Sequence, residues 1–442
     1  MELDSALLAP GEELPAGSPV HAALTAQLTA FYGRVREAFR AGEVARLFPP
    51  DSAIRPAINP RDAFPGSMCL GLTLGHAEEP TSLAFVARNV DDFLVSLKSD
   101  GVRYLLLRTV AGGLFLLSRG SQLFQLARDD QPQLESLLDG ELVFHSRTGQ
   151  LCFLLFDSLL FRGQDRFARE YGERLRDCQR FEAERRFEEG FGHKGPVRVF
   201  TKDFFRAKDA RVLIEKLATH SLLAGHIDGL ILARQRFPYL PGRSPGNLKW
   251  KPEELNSIDF LLAENPRYAA QRPELFPRGF NVFELYIGRG NGLMLFDFAF
   301  LDAQELEKLR APMAEEAAPA PCIGEMRWER DYEDGRMDAF LEAFWGFDSD
   351  LVQELLAKSV HSQSLVNDPK AIYTLFNNVD RRMRSHQRRA RGNWRLLRLR
   401  LDKQLPNVLF TAEHVMLSLD EQFISSQDVL AALENGRTSK RM

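Results

Sequence analysis

A succession of short apolar segments between residues 60 and 162 constrains the fold of this chain more than any other feature. Turn residues such as Gly112-Gly113 and Arg147-Thr148-Gly149 separate these segments. The segments fit β-strands over residues 103–108, 114–118, 123–126, 141–145 and 151–157. Because strands joined by tight turns pair with their neighbours, the pattern predicts a meander of antiparallel strands.

The rest of the chain divides into segments of different pattern. Residues 1–55 form an N-terminal extension, in which apolar residues at helical spacing predict one helix over about 21–47. Strand and helix patterns alternate irregularly over 56–265, as in a mixed domain. Residues 275–407 fit a small β-barrel that carries a largely helical insert at about 335–391, and residues 408–442 contain closing helices. The predicted fold class is therefore α+β with antiparallel sheets.

The composition argues against several classes of function. A net charge of −4 over 442 residues disfavours a protein that coats nucleic acid non-specifically. The four cysteines form no Cys-x-x-Cys pair, which disfavours structural zinc and favours a reducing compartment. No apolar run reaches membrane-spanning length, so we expect no membrane partner.

The run Lys98-Ser99-Asp100-Gly101-Val102-Arg103 places a lysine at the end of an apolar segment, followed by an acid, a glycine and an arginine. A nucleophilic lysine must lose its proton, so cationic neighbours or burial must lower its pKa. Gly101 lets backbone approach a nucleotide without a Cβ in the way, and Arg103 offers a planar fork for phosphate or sugar oxygens. Taken alone, the run also fits an ordinary strand that ends in a polar turn.

Two lysines flank Trp250 in the later run Leu248-Lys249-Trp250-Lys251-Pro252. In a strand, Lys249 and Lys251 point to the same face. Two ammonium groups on one face repel each other, so we infer that an anion binds between them. Each is also expected to lower the pKa of the other and of a nearby lysine.

Further polar or aromatic positions lie at predicted strand edges. These candidate positions are Arg119, Glu141 after Asp139-Gly140, Phe156 before Asp157, and Asp228 before Gly229. Each alone fits a turn carboxylate, a solvated strand face or a core phenylalanine. Their order along the chain gives them a common interpretation.

The order of these motifs resembles that of the covalent nucleotidyltransferase superfamily, which includes DNA ligases, RNA ligases and mRNA capping guanylyltransferases. Three segments resemble the capping branch in particular. They are Phe64-Pro65-Gly66-Ser67, the Lys-Trp-Lys run followed by Asn256-Ser257-Ile258-Asp259-Phe260, and Trp394 to Asn407, which contains Arg400, Asp402 and Lys403. The resemblance covers about residues 60–407.

This resemblance implies a nucleotidyltransferase domain over 56–265 and a C-terminal OB-fold β-barrel over 275–407 that carries the helical insert. It also implies a reaction in which Lys98 attacks GTP, releases pyrophosphate and forms a Lys–GMP adduct. The GMP then passes to the 5′-diphosphate end of an RNA to form a cap.

The resemblance also implies a role for each motif residue. Lys249 and Lys251 would hold the α-phosphate, and Arg400, Asp402 and Lys403 would orient the leaving pyrophosphate. Arg103 and Arg119 would contact ribose or phosphate, Glu141 the ribose hydroxyls, and Phe156 the guanine ring. A divalent ion, Mg²⁺ or Mn²⁺, would be held by Asp228. Lys202 loosely resembles a family lysine near the guanine pocket.

Other interpretations stay open at this point. The chain also fits an ATP-dependent RNA or DNA ligase of the same superfamily, or a catalytically silent relative that binds RNA or a polymerase. Met68-Cys69 replaces the Gln-Pro that is usual in the family, which affects the expected guanine contacts. The arginine cluster at 381–391 fits either a solvated helical face or a binding site for RNA phosphates or a phosphorylated protein tail.

Partners and location follow from the capping interpretation. No phosphatase loop of the form His-Cys-x-x-Gly-x-x-Arg is present, so we expect a separate RNA triphosphatase. The tail of RNA polymerase II is a further expected partner. The expected location is the nucleus, or the cytoplasm if the chain is viral.

Overall fold

The computed structural model describes residues 11–40, 66–144, 151–184, 197–219, 227–264, 281–290, 292–310, 322–330, 392–400, 403–419 and 423–435. The chain divides into two compact units. The first unit comprises Met1–Pro252 with Ile424–Met442, and the second unit comprises Glu253–Phe423. The predicted helical insert and the arginine cluster lie outside the described residues.

Strands dominate the first unit. They are β1 (Glu12–Glu13), β2 (Ser67–Gly71), β3 (Phe93–Ser99), β4 (Val102–Thr109), β5 (Leu114–Ser118), β6 (Leu123–Ala127), β7 (Leu134–Phe144), β8 (Leu151–Phe161), β9 (Gln164–Asp165), β10 (Arg198–Thr201), β11 (Phe205–Arg206), β12 (Ile227–Arg234) and β13 (Gly242–Trp250). The second unit contributes β14 (Ser257–Glu264), β15 (Asn281–Arg289), β16 (Gly292–Leu301), β17 (Cys322–Arg330) and β18 (Gly392–Leu399).

The described helices are fewer than the described strands. They are α1 (Pro19–Arg40), α2 (Leu83–Arg88), α3 (Tyr171–Ala183), α4 (Ala210–Thr219), α5 (Ala303–Arg310), α6 (Leu409–Leu419) and α7 (Ser426–Asn435). None of these described helices is long and apolar enough to cross a bilayer.

The first sheet of the first unit contains the predicted antiparallel strands, but they do not form the predicted simple meander, because β7 pairs with β4 and not with β6, the strand before it in the sequence. Its order is β1-β6-β5-β4-β7-β8-β10, with β9 paired to β8. Neighbouring strands are antiparallel except for the parallel pair β8 and β10, so the predicted antiparallel arrangement is confirmed. Strand β7 begins at Leu134, seven residues before the predicted start, because buried pairing continues through the polar Asp139.

The second sheet of the first unit brings distant motifs side by side. Its order is β11-β3-β12-β13-β2, with β13 and β2 parallel and the other pairs antiparallel. Ile227 pairs with Ser99, and Ile231 pairs with Lys249. Adjacent strands therefore carry the Lys98, Asp228 and Lys249 motifs to one region of the sheet.

Apolar side chains on both sheets are covered by helices. Leu24, Leu28, Phe31 and Val35 of α1 are buried in one core cluster with residues of the first sheet. The other end of the chain closes a second cluster, in which Val429 and Leu433 of α7 pack with Val95, Leu230 and Leu248. The first unit is thus built from both ends of the chain.

The second unit contains an antiparallel five-stranded sheet in the order β16-β15-β14-β17-β18. Its core is rich in aromatic residues, with Trp394 packed edge-on against Phe260 and Trp328. Pairing among the described strands does not close into a barrel, so the predicted OB-fold is not confirmed. Strand β14, which the sequence pattern places partly at the end of the 56–265 domain, pairs with β15 and β17 of the second unit.

Candidate active site

A cavity of about 340 Å³ opens in the first unit, and both sheets contribute to its lining. Most sequence-predicted residues of this unit meet there. The lining consists of Ser67, Met68, Cys69, Lys98, Ser99, Arg103, Arg119, Asp139, Glu141, Phe156, Asp157, Tyr171, Lys202, Phe204, Ile231, Asn247 and Lys249. Five of these side chains are cationic, which suits an anionic ligand.

Lys98 lies near the end of β3 and is paired with an acid from the neighbouring strand. Its Nζ lies 2.6 Å from Asp228 Oδ1, and the two side chains are 24% and 19% exposed. Burial alone would lower the pKa of Lys98, but the negative charges of Asp228, Glu141 and Asp100 outweigh it and raise that pKa. The prediction that the neighbourhood lowers the pKa of Lys98 is therefore wrong for this structure, because the acid on β12 lies closer than any lysine.

Asp228 bridges two lysines. Its second oxygen, Oδ2, lies 2.6 Å from Lys251 Nζ. Burial would raise the pKa of Asp228, but the charges of Lys251 and Lys98 hold it below its usual range. Gly229 adopts a φ of +146°, and a Cβ there would meet Trp250 O at 2.1 Å, so only glycine lets β12 approach β13 this closely.

The predicted lysine pair takes two different positions. Lys249 lines the cavity, while Lys251 lies just beyond the end of β13 and pairs with Asp228. Trp250 between them points into the core, where its Nε1 donates to Ile424 O at 2.9 Å. Burial, followed by the charges of Lys251 and Lys98, lowers the pKa of Lys249, as the sequence predicted for clustered lysines.

Two cations of the cavity lining lie close to the Phe156 ring. Arg103 Cζ is 5.4 Å from its ring centroid and Lys202 Nζ is 6.0 Å from it. Lys202 also lies 3.9 Å from Glu141 Oε2, and its burial lowers its pKa. Tyr171 of α3 donates its hydroxyl to Phe156 O at 2.8 Å, which fixes the backbone that carries the ring.

Arg103 is more deeply engaged than its motif suggested. Its Nε donates to Asp139 Oδ1 at 2.8 Å, its Nη2 donates to Asp139 Oδ2, and its Nη1 donates to Ser67 O at 2.5 Å. Only 10% of its side chain is exposed. Arg119 lines the same cavity from the exposed turn after β5.

Two partners of the lining residues escaped sequence reasoning. Asp157 pairs with the buried Arg174 of α3 at 2.7 Å, and Tyr239 donates to Asp139 at 2.6 Å. Arg174 belongs to a charged amphipathic helix, in which an arginine is expected on the exposed face. Asp139 lies within the Asp-Gly-Glu run, but its tyrosine partner is 100 residues away in sequence.

The remaining predicted residues belong to the second unit. Arg400 Nη1 lies 3.1 Å from Asp259 Oδ1, and Lys403 Nζ pairs with Asp259 Oδ2. Asn407 accepts a hydrogen bond from Asp259 N at 2.9 Å. Asp402 lies outside the described residues.

Asp228, the predicted ligand of a divalent cation, already has two cationic partners. Both of its carboxylate oxygens are paired with ammonium groups, so the negative charge that would bind a divalent cation is already neutralised. The described part of the chain contains no cluster of three His, Cys, Asp or Glu side chains that could hold a metal. The arrangement therefore does not support Asp228 as a metal ligand.

Comparisons with known proteins match this chain to mRNA capping enzymes. Residues 59–253 match the family model for the mRNA capping enzyme catalytic domain. The mRNA-capping enzyme subunit alpha of Schizosaccharomyces pombe is 26% identical over 322 residues, which cover 63% of this chain and 74% of that protein. The mRNA-capping enzyme of Danio rerio is 30% identical over 217 residues, which cover 46% of this chain and only 35% of that protein.

Among solved structures, the chain has a weak structural similarity to "mycobacterial DNA ligase D complexed with ATP and MES". It has a TM-score of 0.35 and 15% identity, and the match covers 60% of this chain and 89% of that one. The similarity to capping enzymes rests instead on the catalytic-domain match and on the capping-enzyme relatives. By these two matches, residues 59–253 resemble the catalytic domain of mRNA capping enzymes, and the chain is similar to their alpha subunits.

Proposed function

We propose that this protein is a GTP:RNA guanylyltransferase with Lys98 as its nucleophile. The observation that carries the proposal is the placement of Lys98 in a cavity lined by four further cations and by Phe156. The Nζ of Lys98 forms a bond to the α-phosphorus of GTP, and the bond from that phosphorus to the bridging oxygen of pyrophosphate breaks. A terminal phosphate oxygen of a 5′-diphosphate RNA then displaces Lys98 and forms the 5′–5′ linkage.

The attack requires an uncharged amine, and Lys98 is charged while it is paired with Asp228. Lys98 must therefore leave Asp228 and lose its proton before the bond to phosphorus forms. Lys251 stays available to neutralise Asp228, since it already holds the other carboxylate oxygen. In this proposal Asp228 keeps the nucleophile in place before the nucleotide binds.

The phosphates are assigned to the cationic part of the lining. Lys249 holds the α-phosphate and stabilises the charge that develops on it, a role supported by its lowered pKa and its position in the cavity. Lys251 assists after Lys98 has moved. Arg400, Asp402 and Lys403 are assigned to the leaving pyrophosphate from the motif alone.

The nucleoside is assigned to the other part of the lining. Phe156 stacks on guanine, since an aromatic face flanked by cations suits a flat, electron-rich base. Glu141 accepts from the ribose hydroxyls, and Arg119 contacts ribose or phosphate from its exposed turn. Arg103 supports this part of the site by contacting the Phe156 ring. Its three side-chain nitrogens already donate hydrogen bonds to Asp139 and Ser67.

The further partners remain proposals. A requirement for Mg²⁺ or Mn²⁺, a separate RNA triphosphatase, the RNA polymerase II tail and a nuclear location follow from the capping interpretation. The second unit, with the five antiparallel strands expected of an OB-fold, is proposed to assist nucleotide binding. The labelling assay below, repeated with EDTA, tests the metal requirement.

The decisive experiment is covalent labelling of the purified protein. We expect a labelled protein band with GTP that carries label on its α-phosphate, in the presence of Mg²⁺, and release of that label by pyrophosphate. The variant Lys98→Ala should give no band while keeping its circular dichroism spectrum. A band with ATP and none with GTP would instead indicate a ligase, and the absence of both bands would indicate a silent relative.

A further inference from the structure

We propose that Asp139 is a positioning residue that fixes one edge of the nucleotide cavity. It would do so through a closed ring of hydrogen bonds that also includes Arg103, Tyr239 and Ser67. The inference rests on the proposed guanylyltransferase activity, because its kinetic readout is the formation of the Lys98–GMP adduct. None of the sequence motifs assigned a role to Asp139 or Tyr239.

The ring joins the buried Ser67, Asp139 and Tyr239 with Arg103, whose side chain is 10% exposed. Ser67 N donates to Tyr239 Oη at 2.8 Å, and Tyr239 Oη donates to Asp139 Oδ2 at 2.6 Å. Arg103 Nε donates to Asp139 Oδ1 at 2.8 Å, and Arg103 Nη1 returns to Ser67 O at 2.5 Å. The backbone N–H and C=O of Ser67 are therefore both held by side chains anchored on one carboxylate.

The ring lies where the sheet itself gives little support. Among the strands of the described ranges, β2 is the last in its sheet, and one of its edges is covered by a neighbouring strand, β13. Its pairing with β13 is also interrupted by a register shift between Ser244 and Leu248. Side-chain bonds to Ser67 thus take the place of a second strand at the start of β2.

The ring of hydrogen bonds positions part of the cavity lining. Met68 and Cys69 follow Ser67 directly and line the cavity. The same carboxylate holds the Arg103 guanidinium 5.4 Å from the Phe156 ring. Asp139 therefore sets the place of two lining segments, one of which, at Phe156, the proposed function assigns to the nucleoside.

A role in positioning the nucleoside makes a specific kinetic prediction. Loosening the ring should weaken GTP binding, because the lining is no longer fixed before the ligand arrives. The rate of adduct formation at saturating GTP should change little, since Lys98 and Lys249 lie on β3 and β13 and take no part in the ring.

Tyr239→Phe is the primary variant because it removes one hydroxyl and keeps the aromatic side chain that fills the same space. Asp139→Asn is the second variant, since it keeps the shape of the side chain and removes its charge. Asp139→Ala is avoided because it would leave the buried Arg103 guanidinium unpaired. Tyr286→Phe is the matched control, because its buried hydroxyl also donates to a carboxylate, Glu284 at 2.5 Å, in the second unit.

The test measures the GTP dependence of adduct formation together with amide hydrogen exchange. For Tyr239→Phe, losing a buried hydrogen bond should raise the half-saturating GTP concentration roughly fivefold to tenfold, with the saturating rate within about twofold of wild type. Exchange should become faster in the peptide that covers Ser67–Gly71. Asp139→Asn should act in the same direction, and Tyr286→Phe should change neither quantity.

The outcomes separate this inference from the proposed function. If wild-type protein forms no GMP adduct, the proposed function fails, while hydrogen exchange still reports on the ring. If wild-type protein forms the adduct and Tyr239→Phe lowers only the saturating rate, or leaves exchange at Ser67–Gly71 unchanged, the positioning role of Asp139 is wrong.

Discussion

Lys98 is held by Asp228 through an ion pair of 2.6 Å, and the same carboxylate holds Lys251 at an equal distance from its other oxygen. The candidate nucleophile is thus charged and restrained before any nucleotide binds. A charged lysine cannot attack phosphorus, so in the proposed reaction we expect the pair to keep Lys98 unreactive until phosphate groups enter the cavity. The anionic triphosphate would then compete with Asp228 for the surrounding cations.

The pH dependence of adduct formation should report this pair. Asp228 raises the pKa of Lys98, so the wild-type rate at low GTP concentration should rise with pH across the neutral and alkaline range. In Asp228→Asn the charge that raises the pKa of Lys98 is gone, so the rising part of the profile should shift to lower pH. The maximal rate should fall, because Lys251 loses its partner. An unshifted profile would show that Asp228 does not control the protonation of Lys98.

The same pair should stabilise the fold over a defined range of pH. The lowered pKa of Asp228 adds stability above the usual carboxyl pKa of about 3.9, and this stability is lost as the pH falls through the lower folded-state value. The raised pKa of Lys98 adds stability below about 10.4, which is lost only as the pH rises through the higher folded-state value. Wild type should therefore exceed Asp228→Asn by about 1.5–3 kcal/mol in unfolding free energy near pH 7.

Urea unfolding at several pH values provides the measurement for this second prediction. The difference between wild type and Asp228→Asn should stay constant from pH 5 to about pH 9 and shrink below pH 4. Asp165→Asn is a suitable control, because Asp165 pairs with Arg34 at the surface, where an ion pair contributes little. A difference as large for the control as for Asp228→Asn would argue against a special contribution from the Lys98 pair.

Replacement of Phe156 should weaken nucleotide binding. Stacking of a base on an aromatic ring contributes about 1–3 kcal/mol, so Phe156→Leu should raise the half-saturating GTP concentration roughly 5- to 150-fold. Phe200→Leu serves as the control, since Phe200 is 38% exposed and does not line the cavity. The measurement is the rate of adduct formation over a series of GTP concentrations. Equal effects of the two replacements would contradict a stacking role for Phe156.

Arg400 should act on only one half of the reaction. A residue that orients pyrophosphate must affect adduct formation and its reversal by pyrophosphate equally, because the two pass through the same transition state. Arg400→Ala should therefore slow both by about 100-fold, the loss typical of one charge-stabilising group. The transfer of GMP from the preformed adduct to diphosphate RNA should remain within about twofold of wild type, since no pyrophosphate takes part in it.

Single-turnover assays of the three steps separate these effects. Arg327→Ala is the control, as a half-buried arginine of the second unit outside the motif. A variant Arg400→Ala that is slow in RNA transfer but normal in pyrophosphate reversal would remove Arg400 from the leaving-group role.

Local patterns predicted much of the fold because the apolar runs are short and cleanly bounded. Residues 114–118 were predicted as a strand and form β5 with the same bounds. Strand β7 was predicted too short because Asp139 and Gly140 resemble a turn, whereas the aspartate is buried by pairing with Arg103. Strand β13 begins at Gly242 although Pro245 and Gly246 resemble a turn, because the sheet accommodates these two residues at an irregularity in its register.

The candidate site was predictable in its members and not in its electrostatics. The motifs identified Lys98, Lys249 and Phe156, which all line the cavity. They did not reveal that Asp228 would lie closer to Lys98 than any lysine, because strand register decides that distance. The packing of α7 against the first unit could not be predicted either. The apolar residues of α7 indicate that one face of the helix is buried, but not against which strands.

This packing has a consequence for the order in which the protein is made and folds. Val429, Ala432 and Leu433 complete a core that also contains Val95 of β3 and Leu248 of β13. The ribosome releases these three residues only after the entire second unit has been synthesised. A growing chain that has not yet reached residues 429–433 therefore carries Lys98 and Lys249 on strands whose shared core is open, and the site can reach its final form only after these residues have been synthesised.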